Sequence, residues 1–191
     1  MVKFSSTGAF TWARRWGNES PGPYYSCYNY GFAVDAAGAA YSIGYFRYTV
    51  DFDPGPGTQN RTCTDTYADM YILKLDASGN YANVMTFSPL NDYIYGYDLA
   101  CDSSNNLYAV GYFQSTCDFD PGAGIQNLVA HTTYYDMFIA KFNSAGAYQW
   151  AYGWGNPTYS DYLRDVGCTD THVYPRGYFY KSYGAQDMDP T

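Results

Sequence analysis

The feature of this sequence that most constrains its fold is an internal repeat with a period of about 67 residues. Three markers recur at that spacing: the runs 69–75 and 136–142, the Gly-Tyr-Phe triplets at 44–46, 111–113 and 177–179, and the Asp-x-Asp-Pro elements at 51–54, 118–121 and 187–190. Because three independent markers share one period, we predict that the chain consists of a tandemly repeated structural unit.

Each period contains four runs of strand-forming residues separated by turn residues. In the second period, strand a covers residues 97–101, strand b runs from 107 to about 119, strand c covers 137–142, and strand d runs from 148 to about 154. The segments between them are rich in Asp, Asn, Ser, Pro and Gly, which favour turns. The pattern predicts an all-β fold of tandem four-stranded antiparallel blades, as in a β-propeller.

The repeat is out of phase with the two ends of the sequence. Residues 1–17 match strands c and d, residues 24–87 and 93–154 each match a whole blade, and residues 162–191 match strands a and b. We therefore expect a single repeat array over residues 1–191. It holds about three blade equivalents, arranged as a half blade, two whole blades and a half blade.

The repeated motifs resemble those of a known family. Gly-Tyr-Phe, Asp-Phe-Asp-Pro-Gly, Asp-Met-(Tyr/Phe)-Ile-x-Lys-(Leu/Phe) and Ser-(Ala)-Gly-x-Tyr follow one another as in the bacterial β-propeller repeats called SBBP repeats. The resemblance covers essentially the whole chain. It implies blades and an extracellular or cell-surface location, and it implies no catalytic activity.

Two half blades present sheet edges that invite pairing with another chain. Closed propellers have four to eight blades, so three solutions stay open: a fragment of a longer propeller, a ring closed by two copies, or a head-to-tail fibre of copies. We expect a self-assembling extracellular structural or interaction protein. The alternative is a carbohydrate- or protein-binding surface propeller within a longer secreted chain. The predicted assembly edge consists of Val2, Lys3, Phe4, Gly177, Tyr178 and Phe179.

The net charge and the hydropathy of the sequence exclude some classes of binding partner. The 10 basic and 18 acidic residues give a net charge of −8, which disfavours nucleic acid, and no apolar stretch is long enough for membrane insertion.

The 25 tyrosines fall into two groups. Tyr41, Tyr108 and Tyr174 recur with the period and are predicted to pack the blades, whereas most others are predicted to lie in loops such as 24–30 and 93–97. Exposed rings in loops suit protein contacts or stacking on glycans.

The repeated Asp-x-Asp turns are the only candidate metal ligands. Paired carboxylates in a turn can bind Ca²⁺, but the spacing lacks the full pattern of an EF-hand loop. The alternative is an Asp-capped turn that each blade needs. The residues are Asp51, Asp53, Asp118, Asp120, Asp187 and Asp189. No other cofactor is expected.

The remaining candidate residues are those for glycosylation, disulfide formation and catalysis. Asn18 and Asn60 begin glycosylation sequons, and Cys63 and Cys117 are the candidates for a disulfide in an oxidising compartment. The five cysteines show no zinc-type spacing. The two histidines lie in different repeats, away from any triad-like motif, so we expect no enzymatic activity.

Overall fold

The computed structural model describes residues 1–17, 27–63, 67–131 and 134–180, and within these ranges every regular element is a β-strand. The strands are β1 Val2–Phe4, β2 Phe10–Ala13, β3 Cys27–Val34, β4 Ala40–Phe46, β5 Thr49–Asp51, β6 Asn60–Thr62, β7 Asp69–Leu75, β8 Tyr81–Phe87, β9 Ile94–Cys101, β10 Leu107–Phe113, β11 Thr116–Asp118, β12 Asn127–Val129, β13 Asp136–Phe142, β14 Tyr148–Trp154, β15 Tyr162–Cys168 and β16 Val173–Tyr178. The predicted all-β class is confirmed.

The strands form two complete blades and two half blades. One antiparallel sheet has the order β3-β4-β7-β8, and a second has the order β9-β10-β13-β14. Strands β1 and β2 pair as a hairpin in the positions of c and d, and β15 and β16 pair in the positions of a and b. The layout is blade-like, and the described residues form no closed ring of sheets.

The prediction for strand b is wrong in its C-terminal part. Strand β10 ends at Phe113, and Ser115 adopts a φ of 61° before β11 begins. Tyr48 has the same φ of 61° at the equivalent point of the first blade. This left-handed residue breaks the strand, and the chain continues into a second hairpin, β5–β6 or β11–β12, that the sequence analysis did not anticipate.

Each blade packs strand a of the next blade onto its own strands b and c. Leu99 of β9 belongs to one hydrophobic cluster with Ile43 of β4 and Ile72 of β7. Val166 of β15 joins Val110 of β10 in the equivalent cluster. The core therefore lies between successive blades, so each blade depends on its neighbours to bury apolar surface.

Candidate functional site

A β-bulge in strand a aligns one residue from each blade in a column. The register of strands a and b shifts at Tyr30, Tyr97 and Arg164, which are the unpaired residues of three equivalent bulges. Tyr30 stacks on Tyr97 with a centroid distance of 4.5 Å and an interplanar angle of 6°. The guanidinium carbon of Arg164 lies 3.9 Å from the centroid of the Tyr97 ring. The bulges direct these side chains along the row of blades.

A second ring contact repeats between blades with the same geometry. Tyr95 of strand a meets Tyr45 of the preceding strand b edge to face, at 4.8 Å and 85°. Tyr162 meets Tyr112 in the same way, at 4.7 Å and 86°. Such edge-to-face pairs are favoured by the ring quadrupoles.

The structure corrects the prediction that Tyr28, Tyr30 and Tyr95 lie in loops, whereas Tyr97 was also predicted to begin strand a. Tyr28 and Tyr30 lie in β3, and Tyr95 and Tyr97 lie in β9. Residues 24 and 25, from the same predicted loop, lie outside the described residues. The aromatic clusters are therefore largely a property of strands a and b.

A carboxylate on strand a contacts the backbone of the next blade. Asp98 Oδ2 accepts a 3.0 Å hydrogen bond from the amide nitrogen of Val166. Its equivalent in the next blade, Asp165, is bound by the guanidinium of Arg176 at 2.5 Å. Burial, together with a hydrogen bond to Asp165, raises the pKa of the Asp98 carboxyl above its ordinary value. The hydrogen bond from Arg176 instead lowers the pKa of Asp165.

A tyrosine and a lysine pair across strands b and c of both complete blades. Tyr41 lies opposite Lys74, whose ammonium nitrogen is 5.0 Å from the ring centroid. Tyr108 and Lys141 repeat this arrangement at 5.1 Å. Both tyrosines are buried, as predicted for blade-packing residues. Tyr174, the third member of the predicted set, is exposed, because the described residues place no strand c beside β16.

The half blades expose positions that are buried in the complete blades. Phe4 is 59% exposed, whereas its equivalents Phe142 and Leu75 are fully buried. Phe32 is 67% exposed, whereas its equivalent Leu99 is 4% exposed. Val2, Tyr174 and Phe179 are further exposed positions of this kind, and Tyr28 and Tyr178 are also exposed. The two half blades and the free face of β3 thus carry most of the unmatched apolar surface on strands.

The open side of β1 is defined by its hydrogen bonds to β2. Met1 and Arg14 exchange two backbone hydrogen bonds of 2.8 and 2.9 Å. Because such pairs alternate in an antiparallel ladder, the N–H and C=O groups of Val2 point away from β2. The predicted edge residue Val2 therefore presents its peptide groups on the open edge of the hairpin, where the described part of the chain places no further strand.

The open side of β16 follows from the same alternation. Thr169 N donates to the carbonyl of His172 at 2.8 Å, which closes the β15–β16 hairpin. The peptide nitrogens of Val173 and Pro175 therefore face away from β15. Gly177 has a different role, since a Cβ there would collide with the carbonyl of Tyr162 in its own hairpin.

The Asp turns use their carboxylates to hold backbone. Asp118 Oδ1 accepts hydrogen bonds from Asp120 N at 3.0 Å and Gln126 N at 2.8 Å. Asp51 repeats both bonds in the first blade, and Asp53 and Asp120 each cap the glycine two residues later. Asp187 and Asp189 lie outside the described residues. Within the described ranges no group of three or more acidic, His or Cys side chains has a geometry suited to a metal ion.

The structure does not bring Cys63 and Cys117 together. Cys63 lies in the hydrophobic cluster that the first blade forms with Trp12 of β2. Cys117 lies in the hydrophobic cluster between the two complete blades. Each sulfur contacts a nearby carbonyl, of Tyr67 at 3.3 Å and of Asp118 at 3.7 Å. Both cysteines occupy regular repeat positions, because Cys117 replaces Val50 and Cys63 corresponds to Ala130.

The remaining candidates are single surface features. Asn60 is exposed on β6, and Asn18 lies outside the described residues. His131 Nδ1 lies 2.8 Å from Asp136 Oδ2, a contact that sequence reasoning missed because Asp136 was assigned only to the repeat. His172 contacts the hydroxyl of Thr171 at 2.8 Å.

Comparison with known protein families found no family model that matches the chain, and comparison with curated proteins also found no match. The described part of the chain contains no helix with the length and hydropathy needed to cross a membrane.

Proposed function

We propose that this protein is an extracellular structural or interaction protein that assembles with copies of itself, β16 of one copy pairing with β1 of the next. The observation that carries the proposal is that positions buried in both complete blades are exposed in both half blades. Joining β15–β16 to β1–β2 of another copy restores the order a-b-c-d of the complete sheets. It also removes two open sheet edges.

The complete blades supply the register of this pairing. In β10 and β13, Tyr108 lies opposite Lys141 and Leu107 lies opposite Phe142. The equivalent positions place Tyr174 opposite Lys3, and Val173 opposite Phe4, of the neighbouring copy. In that register Lys3 gains a tyrosine ring on its ammonium group, as Lys74 and Lys141 have.

One residue moderates the strength of the pairing. Pro175 would lie opposite Val2, where the complete blades have two residues with peptide N–H groups, Ala109 and Ala140. Since proline has no N–H, one ladder hydrogen bond is lost at this point. A proline on an open edge also protects the free chain from unspecific strand pairing.

Pairing of β16 with β1 is compatible with two kinds of assembly. Two copies that pair at both ends close a ring, whereas copies that do not close form a head-to-tail fibre. The resemblance to SBBP repeats supports an extracellular location, and glycosylation at Asn60 is compatible with its exposure. The proposed role is not enzymatic.

The second candidate is a glycan- or protein-binding propeller segment. The exposed rings of Tyr28 and Tyr30 favour it, since aromatic faces stack on sugars. Each of these rings, however, already has one face against another tyrosine, at 4.6 Å for Tyr28 and 4.5 Å for Tyr30. A chain that stays monomeric and binds immobilised glycans would support this alternative over self-assembly.

Light scattering of the purified chain over a range of concentrations tests the proposal. We expect particles heavier than the 21.4 kDa chain, and we expect Val2→Pro to raise the concentration at which they form about 3- to 10-fold, because it removes the remaining N–H donor of the rung that Val2 forms with Pro175. Ala13→Pro is the matched control, because its N–H faces the opposite side of the same hairpin. A wild-type chain that is monomeric at every concentration contradicts the proposal, as does assembly by Val2→Pro equal to that of the wild type.

A further inference from the structure

We infer that copies of the chain also meet at a second contact, in which β3 of one copy packs on the β15–β16 hairpin of the preceding copy. This seam rests on the proposed self-assembly and specifies contacts beyond the pairing of strand edges. In the chain, β9 packs on the first blade and β15 packs on the second blade. In a head-to-tail series, the strand a that follows β15 is β3 of the neighbouring copy. This β3 packs on the β15–β16 hairpin of the preceding copy and on the β1–β2 hairpin of its own chain.

The column of bulge residues continues across the seam. Within one copy it runs from Tyr30 through Tyr97 to Arg164, whose guanidinium has Tyr97 on one side. The ring of Tyr30 has Tyr97 on one face and remains substantially exposed. The repeat places Tyr30 of the neighbouring copy next to Arg164, where it forms a cation–π contact. The arginine therefore ends the tyrosine column of one copy with a charge that attracts the first tyrosine of the next.

The edge-to-face pairs continue in the same way. Tyr45–Tyr95 and Tyr112–Tyr162 each join strand b of one blade to strand a of the next. The third strand-b tyrosine is Tyr178, which is exposed, and its strand-a counterpart is Tyr28 of the neighbouring copy. We assign these two tyrosines to one inter-copy ring pair.

A backbone hydrogen bond and an apolar contact between copies follow from the same equivalence of repeat positions. Asp98 accepts the amide of Val166 in the next blade, so Asp165 is positioned to accept the amide of Phe32 in the next copy. In the single chain Asp165 is bound by Arg176 instead. The Phe32 ring, 67% exposed here, then enters the kind of site that keeps Leu99 at 4% and Val166 at 5% exposure.

A crosslinking experiment on the full chain tests the seam. Tyr178 is replaced by the photoreactive residue p-benzoylphenylalanine, and copies with and without a heavy isotope label are mixed, assembled and irradiated. We expect mixed-label crosslinks to the β3 segment Cys27–Val34, whereas the same probe at Tyr152 on β14 gives none to that segment. Assembled particles in which the probe at position 178 reacts only with other segments overturn the seam.

Substitution separates the seam from the strand pairing. Phe32→Ser weakens assembly at least about 10-fold, because it removes a large apolar contact, while Ile125→Ser, equally exposed on a loop of the second blade, leaves assembly unchanged. Assembly of Phe32→Ser at the wild-type concentration, with assembly still weakened in Val2→Pro, overturns the seam and retains the proposed function. Absence of assembly in the wild type overturns both.

Discussion

The amide nitrogen of Val166 donates a 3.0 Å hydrogen bond to Asp98 Oδ2, so a carboxylate of one blade holds the backbone of the next. In addition to burial, the equivalent residue Asp165 raises the pKa of Asp98, and the guanidinium of Arg176 pairs with Asp165. Gly31 occupies the same position in the first blade, where a Cβ would collide with the backbone of Asp98. The first blade therefore has no room for a side chain at this position.

We predict that Asp98→Asn stabilises the chain at neutral pH. Burial raises the pKa of Asp98 in the folded chain, so its protonated form is favoured there. The protonated Asp98 carboxyl stabilises the folded chain fully at pH values below its pKa in the unfolded chain. This stabilisation is lost as the pH rises through its pKa in the folded chain. Urea unfolding at pH 7 should show a gain of up to about 1 kcal/mol for the variant, a small value because the carboxyl is only partly buried. The gain should vanish near pH 3, and a gain that grows on acidification contradicts this account.

The tyrosine clusters predict a loss of stability in alkali. Burial raises the pKa of Tyr45, Tyr95, Tyr112 and Tyr135 above the ordinary phenol value. Their neutral form is favoured in the folded chain, so their contribution is complete below about pH 10 and is lost as pH rises through the folded values. Absorbance at 295 nm and circular dichroism, followed together from pH 9 to 13, should show a group of tyrosines that ionises only as the strands unfold. Complete ionisation with the folded signal intact contradicts the burial.

The repeat provides two equivalent tyrosines of strand b, one with a buried hydroxyl and one that is exposed, whose substitutions can be compared. Tyr108 donates a 3.1 Å hydrogen bond to Asp102 Oδ2 inside the blade, whereas Tyr174 is exposed at the equivalent position. We expect Tyr108→Phe to lower the free energy of unfolding by about 1 kcal/mol. Tyr174→Phe should change it by less than about 0.5 kcal/mol. Both are measured by urea unfolding in the Val2→Pro background, and equal effects of the two substitutions would show that the hydroxyl of Tyr108 is not specially placed.

The Asp turns are expected to act through hydrogen bonds and not through Ca²⁺. Asp118→Ala removes the acceptor of two backbone N–H groups and should cost about 1–3 kcal/mol, while Asp118→Asn keeps an oxygen acceptor and should recover most of that loss. Thermal unfolding of the wild type with millimolar CaCl₂ or with EDTA should give the same midpoint. A midpoint that rises with Ca²⁺ in the wild type and not in Asp118→Asn would establish a metal site instead.

The sequence was sufficient for the parts of the fold that depend on local periodicity. Strand d of the second blade, Tyr148–Trp154, was predicted with its observed bounds, and strand c was predicted to within one residue. Strand b was overextended because Ser115 is a non-glycine residue at positive φ, which no local pattern announces. The hairpin that follows it is only three residues long on each side.

The candidate site was less accessible to sequence reasoning. The edges at Val2 to Phe4 and at Tyr178 follow from the phase of the repeat. The column of Tyr30, Tyr97 and Arg164 depends on three bulges, and a bulge adds a residue without a sequence signature of its own. Of the three, Tyr30 was assigned to a loop, whereas Tyr97 was also predicted to begin strand a. Alignment of strand-a positions against the period would have revealed the column.

Pro175 gives a prediction for the strength of assembly. Pro175→Ala supplies the missing N–H donor on the open edge of β16, so we expect the concentration at half-assembly to fall about 3- to 10-fold, which corresponds to one added hydrogen bond. Concentration-dependent light scattering of this variant beside the wild type measures the shift. Weaker assembly than the wild type would place the pairing register elsewhere.

The most direct test of self-assembly mixes two variants that are each blocked on one edge. Val2→Pro leaves only β16 open, and Val173→Pro leaves only β1 open, because in both cases the replaced N–H faces away from its own hairpin partner. At a concentration at which the wild type is assembled, each variant alone should scatter as a single 21.4 kDa chain with the circular dichroism of the wild type. The equimolar mixture should form a discrete particle of twice that mass. A mixture that remains at the mass of one chain, although the wild type assembles, contradicts the pairing of β16 with β1.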